Sequence, residues 1–208
     1  LAQRLGDQTV SLGQVFRNKQ PLQFHSASPF VVVCPIYAWR LPKPVEELLA
    51  QGEFSGSRQL YLVVTMGASY GGAGSYIQKI LAKTGMEYRG MAGVVMPDNF
   101  LVSFSSPINQ ALSILRQALP RLDQIAQTIA AGDTLPPSSS KGGWLLSGLV
   151  NWGFSHFMMS SKAFTVSDAC VGCGKCAAEC PVGNITLTGG KVRFSNHCSF
   201  CLGCIHRC

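Results

Sequence analysis

Charge is scarce in this chain. Only 13% of its 208 residues are Asp, Glu, Lys or Arg, while 47% are hydrophobic. Disordered chains show the reverse balance, so well-buried cores are expected. The length fits one medium domain with a small one beside it. Long apolar runs are missing too. The nearest to a membrane span, Gly143 to Met159, is too short and holds Asn151 and His156. It also lacks the Lys and Arg that an interfacial helix carries on its polar face. A linker helix that packs its aromatics onto one or both domains is expected instead. No secretory signal is visible at the N-terminus, which speaks against an oxidising compartment. Basic residues outnumber acidic ones by 17 to 10, a formal charge of +7. They form no run, however: Arg4, Lys19, Arg40, Lys43, Arg58, Lys79 and Arg116 are dispersed. No nucleic-acid partner and no membrane span are therefore expected.

Cysteine is almost absent before position 170. The single exception, Cys34, closes the apolar run Phe30-Val31-Val32-Val33-Cys34 and reads as a small buried hydrophobe. The other eight form two copies of one spacing. The first is Cys170-x2-Cys173-x2-Cys176-x3-Cys180, followed by Pro181, and the second is Cys198-x2-Cys201-x2-Cys204-x3-Cys208. Each cysteine of the second copy lies 28 positions after its counterpart. A run C-x2-C-x2-C-x3-C-P is the bacterial ferredoxin pattern for cubane iron–sulfur clusters. The spacing has a physical reason. A cubane has four iron corners, and each needs one thiolate. Three cysteines at two-residue gaps wrap a tight loop around three corners. Gly172 and Gly174 suit that loop, because glycine tolerates positive φ and close backbone approach. Loop N–H groups can then point at the sulfurs and favour the negative charge. The fourth cysteine of a run ligates the other cube. One [4Fe-4S] cluster is thus assigned to Cys170, Cys173, Cys176 and Cys208, and the other to Cys198, Cys201, Cys204 and Cys180.

Two blander readings compete. Zinc ribbons use C-x2-C pairs well separated in sequence, which a duplicated triple run fits poorly. Disulfides need an oxidising compartment. The clusters also temper the basic charge. Two oxidised cubanes with their thiolates bring about −4, and a flavin phosphate would bring up to about −2. The loaded protein is then only weakly charged.

Residues 1–135 alternate apolar strand-like runs with helix-like segments, the pattern of a doubly wound α/β domain. Leu1 to Gly6 reads as the end of a helix stopped by Gly6. Strands are expected at Thr9–Leu12, Phe30–Cys34, Leu60–Thr65 and within Tyr88–Met96. Helices are expected at Pro44–Ala50, with proline in the first turn, and at Ser75–Lys83. A long helix opens at Ser106-Pro107 and is kinked by Pro120. Ile108, Leu112, Leu115, Leu119, Leu122, Ile125 and Ile129 recur on one of its faces. Residues 136–163 read as a Pro/Ser/Gly-rich linker carrying a helix. The cysteine-rich domain spans residues 164–208. Between its ligand runs, Ile185–Thr188 and Lys191–Phe194 flank Gly189-Gly190, a two-residue hairpin signal.

Ligands of open α/β sheets sit outside the carboxyl ends of the strands. The expected loops there are distinctive. One holds Pro35, Tyr37, Ala38 and Trp39, and the next holds Met66, Gly67, Ala68, Tyr70 and Gly71. Aromatics would stack on the faces of a flat ring, and glycines would let amides reach its edge. Equally, Tyr37 and Trp39 can simply pack the loops, and the glycines can simply make turns.

The sequence resembles the flavodoxin–ferredoxin fusions called EFR-type ferredoxins. The matching stretches are VCPIYAWRLP, TMGASYGGAG, VVMPDNF and the tail from Phe164 to Cys208. The resemblance implies a flavodoxin-like domain that holds FMN, followed by a two-[4Fe-4S] ferredoxin domain. It also implies a chain clipped at both ends, without the first strand, its phosphate loop and the closing strand. The expected function is electron transfer through two [4Fe-4S] clusters, coupled to FMN, with redox proteins as partners in a reducing, anaerobic cytoplasm. The alternatives are a ferredoxin with a flavin-free docking domain, or a flavin-dependent reductase drawing on Asp98, Asn99 or Tyr70. Whether the chain is itself an enzyme or a component of one is left open, as is its oligomeric state.

Overall fold

The computed structural model describes residues 1–100, 107–136 and 142–208. Ser106 and most of the Pro/Ser stretch at 137–141 lie outside the described residues. The chain forms two compact units. The first holds Leu1–Thr9 and Leu22–Gly153, and the second holds Val10–Pro21 and Phe154–Cys208.

The first unit is mixed α/β with parallel sheets. Its centre is a three-stranded sheet in the order β2-β4-β5, made by β2 (Phe30–Pro35), β4 (Gln59–Met66) and β5 (Glu87–Val95). Both pairings are parallel. A separate parallel pair joins β1 (Gln23–Ser26) to β3 (Glu53–Gly56). The apolar run of β4 is explained by burial on both faces: Leu60, Tyr61, Leu62, Val63 and Val64 are all buried. Successive strand residues point to opposite sides. Tyr61 and Val63 meet Ala92 and Val94 of β5 and, from the long helix α5 (Ile108–Ala130), Ala118, Ile125 and Ile129. Helix α1 (Ala2–Leu5) adds Leu5 to this cluster and pairs Arg4 with Asp123. Leu60, Leu62 and Val64 face the other way. Helices α3 (Lys43–Gln51) and α4 (Ala73–Leu81) contact each other, and α4 also contacts β5. Gly6 ends α1 in the left-handed region, as its sequence position implies.

Helix α5 is less buried than its apolar stripe predicts. Ile125 and Ile129 are buried, but Ile108, Leu112, Leu115 and Leu119 are exposed. The helix runs through Pro120 without a break.

The segment after 142 differs from the expected linker helix. It comprises α6 (Gly143–Leu145), a π-helical stretch Leu146–Val150 and α7 (Asn151–Phe157). Its fully buried side chains are polar. Ser147 and Asn151 are buried, whereas Trp144, Leu149 and Trp152 are exposed. Ser147 and Asn151 lie four positions apart, hence on one helical face. Of the aromatics expected to do the packing, Trp144 and Trp152 are exposed, while Phe154 is half-buried against Phe200.

In the second unit, β6 (Ile185–Thr188) and β7 (Lys191–Phe194) form an antiparallel hairpin in the expected register. Gly189 and Gly190 have φ of 56° and 74°. Two successive positive φ values match the twist of flanking strands, which is why Gly-Gly serves here. Short helices α8 (Lys175–Ala178) and α9 (Gly203–His206) follow within the two cysteine runs.

The strand expected at Thr9–Leu12 does not form. Residues 12–17 are instead helix α2 (Leu12–Arg17). Among the described strands none pairs with residues 9–11, and an unpaired four-residue strand leaves its backbone groups without partners. Ser11 sits at the N-cap and Gln14 three residues on, the spacing of a capping box, although the Ser11 side chain makes no cap bond. Helix α2 belongs to the second unit. Arg17 donates to the Ala178 carbonyl, and Gly13 lies against Pro181.

Candidate functional site

The two cysteine runs build loops of matching backbone shape. In the first, Gly172 and Gly174 have φ of 67° and 72°, as the tight wrap requires. The residues 28 positions later are Phe200 and Leu202, and both have φ of 56°. For residues with a Cβ, this left-handed conformation costs about 1–2 kcal/mol each. Packing holds them there. Leu202 is buried, and the Phe200 ring lies 5.9 Å from Phe164 and 6.3 Å from Phe154.

Cys180, Cys198, Cys201 and Cys204 line one cavity, together with Phe164, Ile185, Phe194 and Leu202. These are the four residues that the sequence assigns to one cluster. Cys180 comes from the end of the first run and the other three from the second. Backbone donors reach the sulfurs, among them Asn184 N–H to Cys180 Sγ at 3.2 Å and Phe200 N–H to Cys198 Sγ at 3.3 Å. Burial pushes the Cys198 thiol up, while the Phe200 N–H pulls it back. The Cys204 thiol is also raised, first by burial and then by the neighbouring Cys201 and Cys198. The other assigned set is more open: Cys170, Cys173 and Cys208 are exposed, and Cys176 is half-buried. Cys176 lies in α8, and Cys208 follows α9, which contacts α8.

None of the nine cysteines is in a disulfide. Among the described residues, no three of His, Cys, Asp and Glu converge closely enough to hold a single metal ion. The donor set fits a cubane: thiolates from two runs, backbone N–H groups aimed at sulfur, and an apolar wall.

Cys34, in β2, is buried as its apolar neighbours imply. Burial, then the Glu46 carboxylate, push its thiol up to about 12. It is remote from chemistry that needs a thiolate.

The residues expected to cradle a flavin lie on the loops after β2 and β4. Pro35, Tyr37, Ala38, Trp39, Met66 and Tyr70 are half-buried, Gly67 and Ala68 are exposed, and Gly71 is buried. Ala38 and Trp39 have φ of 45° and 63°, within a turn closed by Tyr37 and Arg40. These loops are gripped by the chain itself. The Ser147 hydroxyl donates to the Trp39 carbonyl and accepts from the Gly72 N–H, both at 2.7 Å. Asn151 Nδ2 donates to the Ala38 carbonyl at 2.8 Å. The Ser69 hydroxyl accepts from the Gly71 N–H at 3.1 Å. A Cβ on Gly71 would stand 2.9 Å from Trp39 Cβ and from Ser147 Oγ, and one on Gly72 would stand 2.9 Å from the Gly143 backbone. The glycines are therefore required by this packing alone. The amides of Gly71 and Gly72 do not offer an open edge to a ring. Sequence reasoning missed Ser147 and Asn151, because a lone Ser and Asn in an apolar helix carry no motif.

Residues 162–208 match a family model described as a 4Fe-4S dicluster domain. No curated protein and no solved structure matches the chain. Among the described residues no helix is long and apolar enough to cross a membrane.

Proposed function

We propose that this protein is an electron carrier that passes low-potential electrons through two [4Fe-4S] clusters. Cys180, Cys198, Cys201 and Cys204 hold one cluster, and Cys170, Cys173, Cys176 and Cys208 hold the other. The observation that carries the reading is the duplicated four-cysteine run within a segment that matches a 4Fe-4S dicluster domain. Each cluster, when bound, takes up and releases one electron at a time. The chain's own residues supply the rest. The thiolates anchor the irons. The N–H groups of Asn184 and Phe200 favour added negative charge on the sulfurs. Phe164, Ile185, Phe194 and Leu202 exclude water from one site, which makes each nearby dipole count for more. Redox proteins in a reducing cytoplasm are the partners that this chemistry calls for.

A finer reading adds a flavodoxin-like first unit that couples FMN to the clusters. Its support is the parallel sheet with aromatic and glycine-rich loops at the carboxyl ends of its strands. A second reading, a ferredoxin with a flavin-free docking domain, is favoured by one observation. Ser147 and Asn151 already bond the Gly72 N–H and the carbonyls of Trp39 and Ala38 in the loops expected to cradle the ring. Anaerobic reductive titration tests the first claim: the visible absorbance of the clusters should bleach with about two electrons per chain. Quenching of FMN fluorescence on adding the chain would support the flavin-coupled reading, and unchanged fluorescence would leave the docking domain.

A further inference from the structure

Asn184 belongs to neither cysteine run, yet it is bonded beside both. It is only 1% exposed. Its backbone N–H donates to Cys180 Sγ at 3.2 Å, the last thiol of the first run. Its side-chain Oδ1 accepts from the backbone N–H of His197 at 3.0 Å, immediately before Cys198. Its Nδ2 donates to Ser161 Oγ at 3.1 Å, and that hydroxyl donates onward to the Ser195 carbonyl at 3.0 Å. Its own carbonyl accepts from the Ser195 N–H at 2.8 Å.

The placement meets a specific need. Cys180 must meet Cys198, Cys201 and Cys204, but the β6–β7 hairpin stands between them in sequence. The ladder pairs Ile185 with Phe194 and stops there. Beyond it, nothing in the hairpin fixes where Ser195 to Cys198 turn. Asn184 takes over at that point. A single planar amide offers a donor and an acceptor at once, so it can hold Ser161 and His197 together while the backbone of the same residue reaches Cys180. Ser161 lies just before the segment that matches the dicluster model, so the brace draws on a residue outside that match.

We propose that Asn184, braced by Ser161, is a positioning residue that holds Cys180 in register with the Cys198–Cys204 loop, so that thiolates from both runs converge on one cluster. This rests on the two-cluster reading above. The test is anaerobic reconstitution of the full chain, with iron and acid-labile sulfide counted per chain and the reduced protein examined by EPR. Wild type should hold about eight irons and show the broadened spectrum of two interacting spins. Asn184→Ala should keep about half the iron, with the spectrum simplified to that of one isolated cluster. Asn184→Asp keeps the acceptor for His197 and should hold more iron than Asn184→Ala. Ser161→Ala should show a partial loss confined to the same cluster. An Asn184→Ala protein with wild-type iron and EPR would overturn the proposal. So would equal loss of both clusters in Asn184→Ala and Ser161→Ala, the mark of a general folding residue. If wild type itself binds no iron and sulfide, it is the two-cluster reading that fails.

Discussion

At the scale of single residues, Leu202 and Cys34 make the sharpest demands. Leu202 is left-handed, φ 56°, and buried. Its two requirements oppose each other. Truncation to Ala loses buried carbons, worth about 2–5 kcal/mol, and keeps the strain. Truncation to Gly loses slightly more carbon but releases about 1–2 kcal/mol of left-handed cost. Leu202→Gly should therefore be more stable than Leu202→Ala by about 1 kcal/mol in urea unfolding, the reverse of the usual order. If Ala proves the milder change, the left-handed geometry is not what the site selects. Gly172 and Gly174 were legible in sequence because glycine announces positive φ. Phe200 and Leu202 were not, since neither residue type carries that signal. Only the 28-residue repeat, read position by position, would have aligned them with the glycines.

Cys34 makes a prediction about pH. Its thiol is raised in the folded chain from the ordinary 9.0 to about 12. A raised acid keeps its proton longer when folded. Its contribution to stability is thus intact below about pH 9 and is lost as pH climbs towards 12. The urea midpoint of wild type should fall across that window more steeply than that of Cys34→Ala. At pH 8, iodoacetamide should leave Cys34 unmodified in the folded chain and modify it once urea is added, read by mass spectrometry. Equal labelling in both states would contradict the burial.

At the scale of elements, the helical segment from 143 to 157 departs furthest from what its sequence suggests. Its composition is apolar, yet Ser147 and Asn151 provide its buried contacts. Patterning rules find apolar stripes, and a two-residue polar face is invisible to them. Ser147→Ala would strip partners from the Gly72 N–H and the Trp39 carbonyl. An unsatisfied buried group costs about 1–3 kcal/mol, so the loss should be about 2 kcal/mol or more by urea unfolding. A loss well under 1 kcal/mol would show that water replaces the hydroxyl. The β6–β7 hairpin was fully legible because its register follows from a two-residue turn. Helix α2 was not. A strand reading of Thr9–Leu12 presumes a ladder partner, and that is a non-local condition.

At the scale of the molecule, chemistry is concentrated in the second unit and the larger hydrophobic core in the first. The chain's +7 is offset by about −4 from two oxidised clusters, which fits a carrier with little net charge. The dicluster pattern was readable because iron–sulfur chemistry dictates cysteine spacing. A use for the first unit was not, because loops that could stack a ring are also loops that can pack against their own chain, and here Ser147 and Asn151 take that role. The most direct measurement is the content of iron, acid-labile sulfide and zinc per chain after anaerobic reconstitution. The account predicts about eight irons and eight sulfides. Zinc bound without sulfide would contradict it.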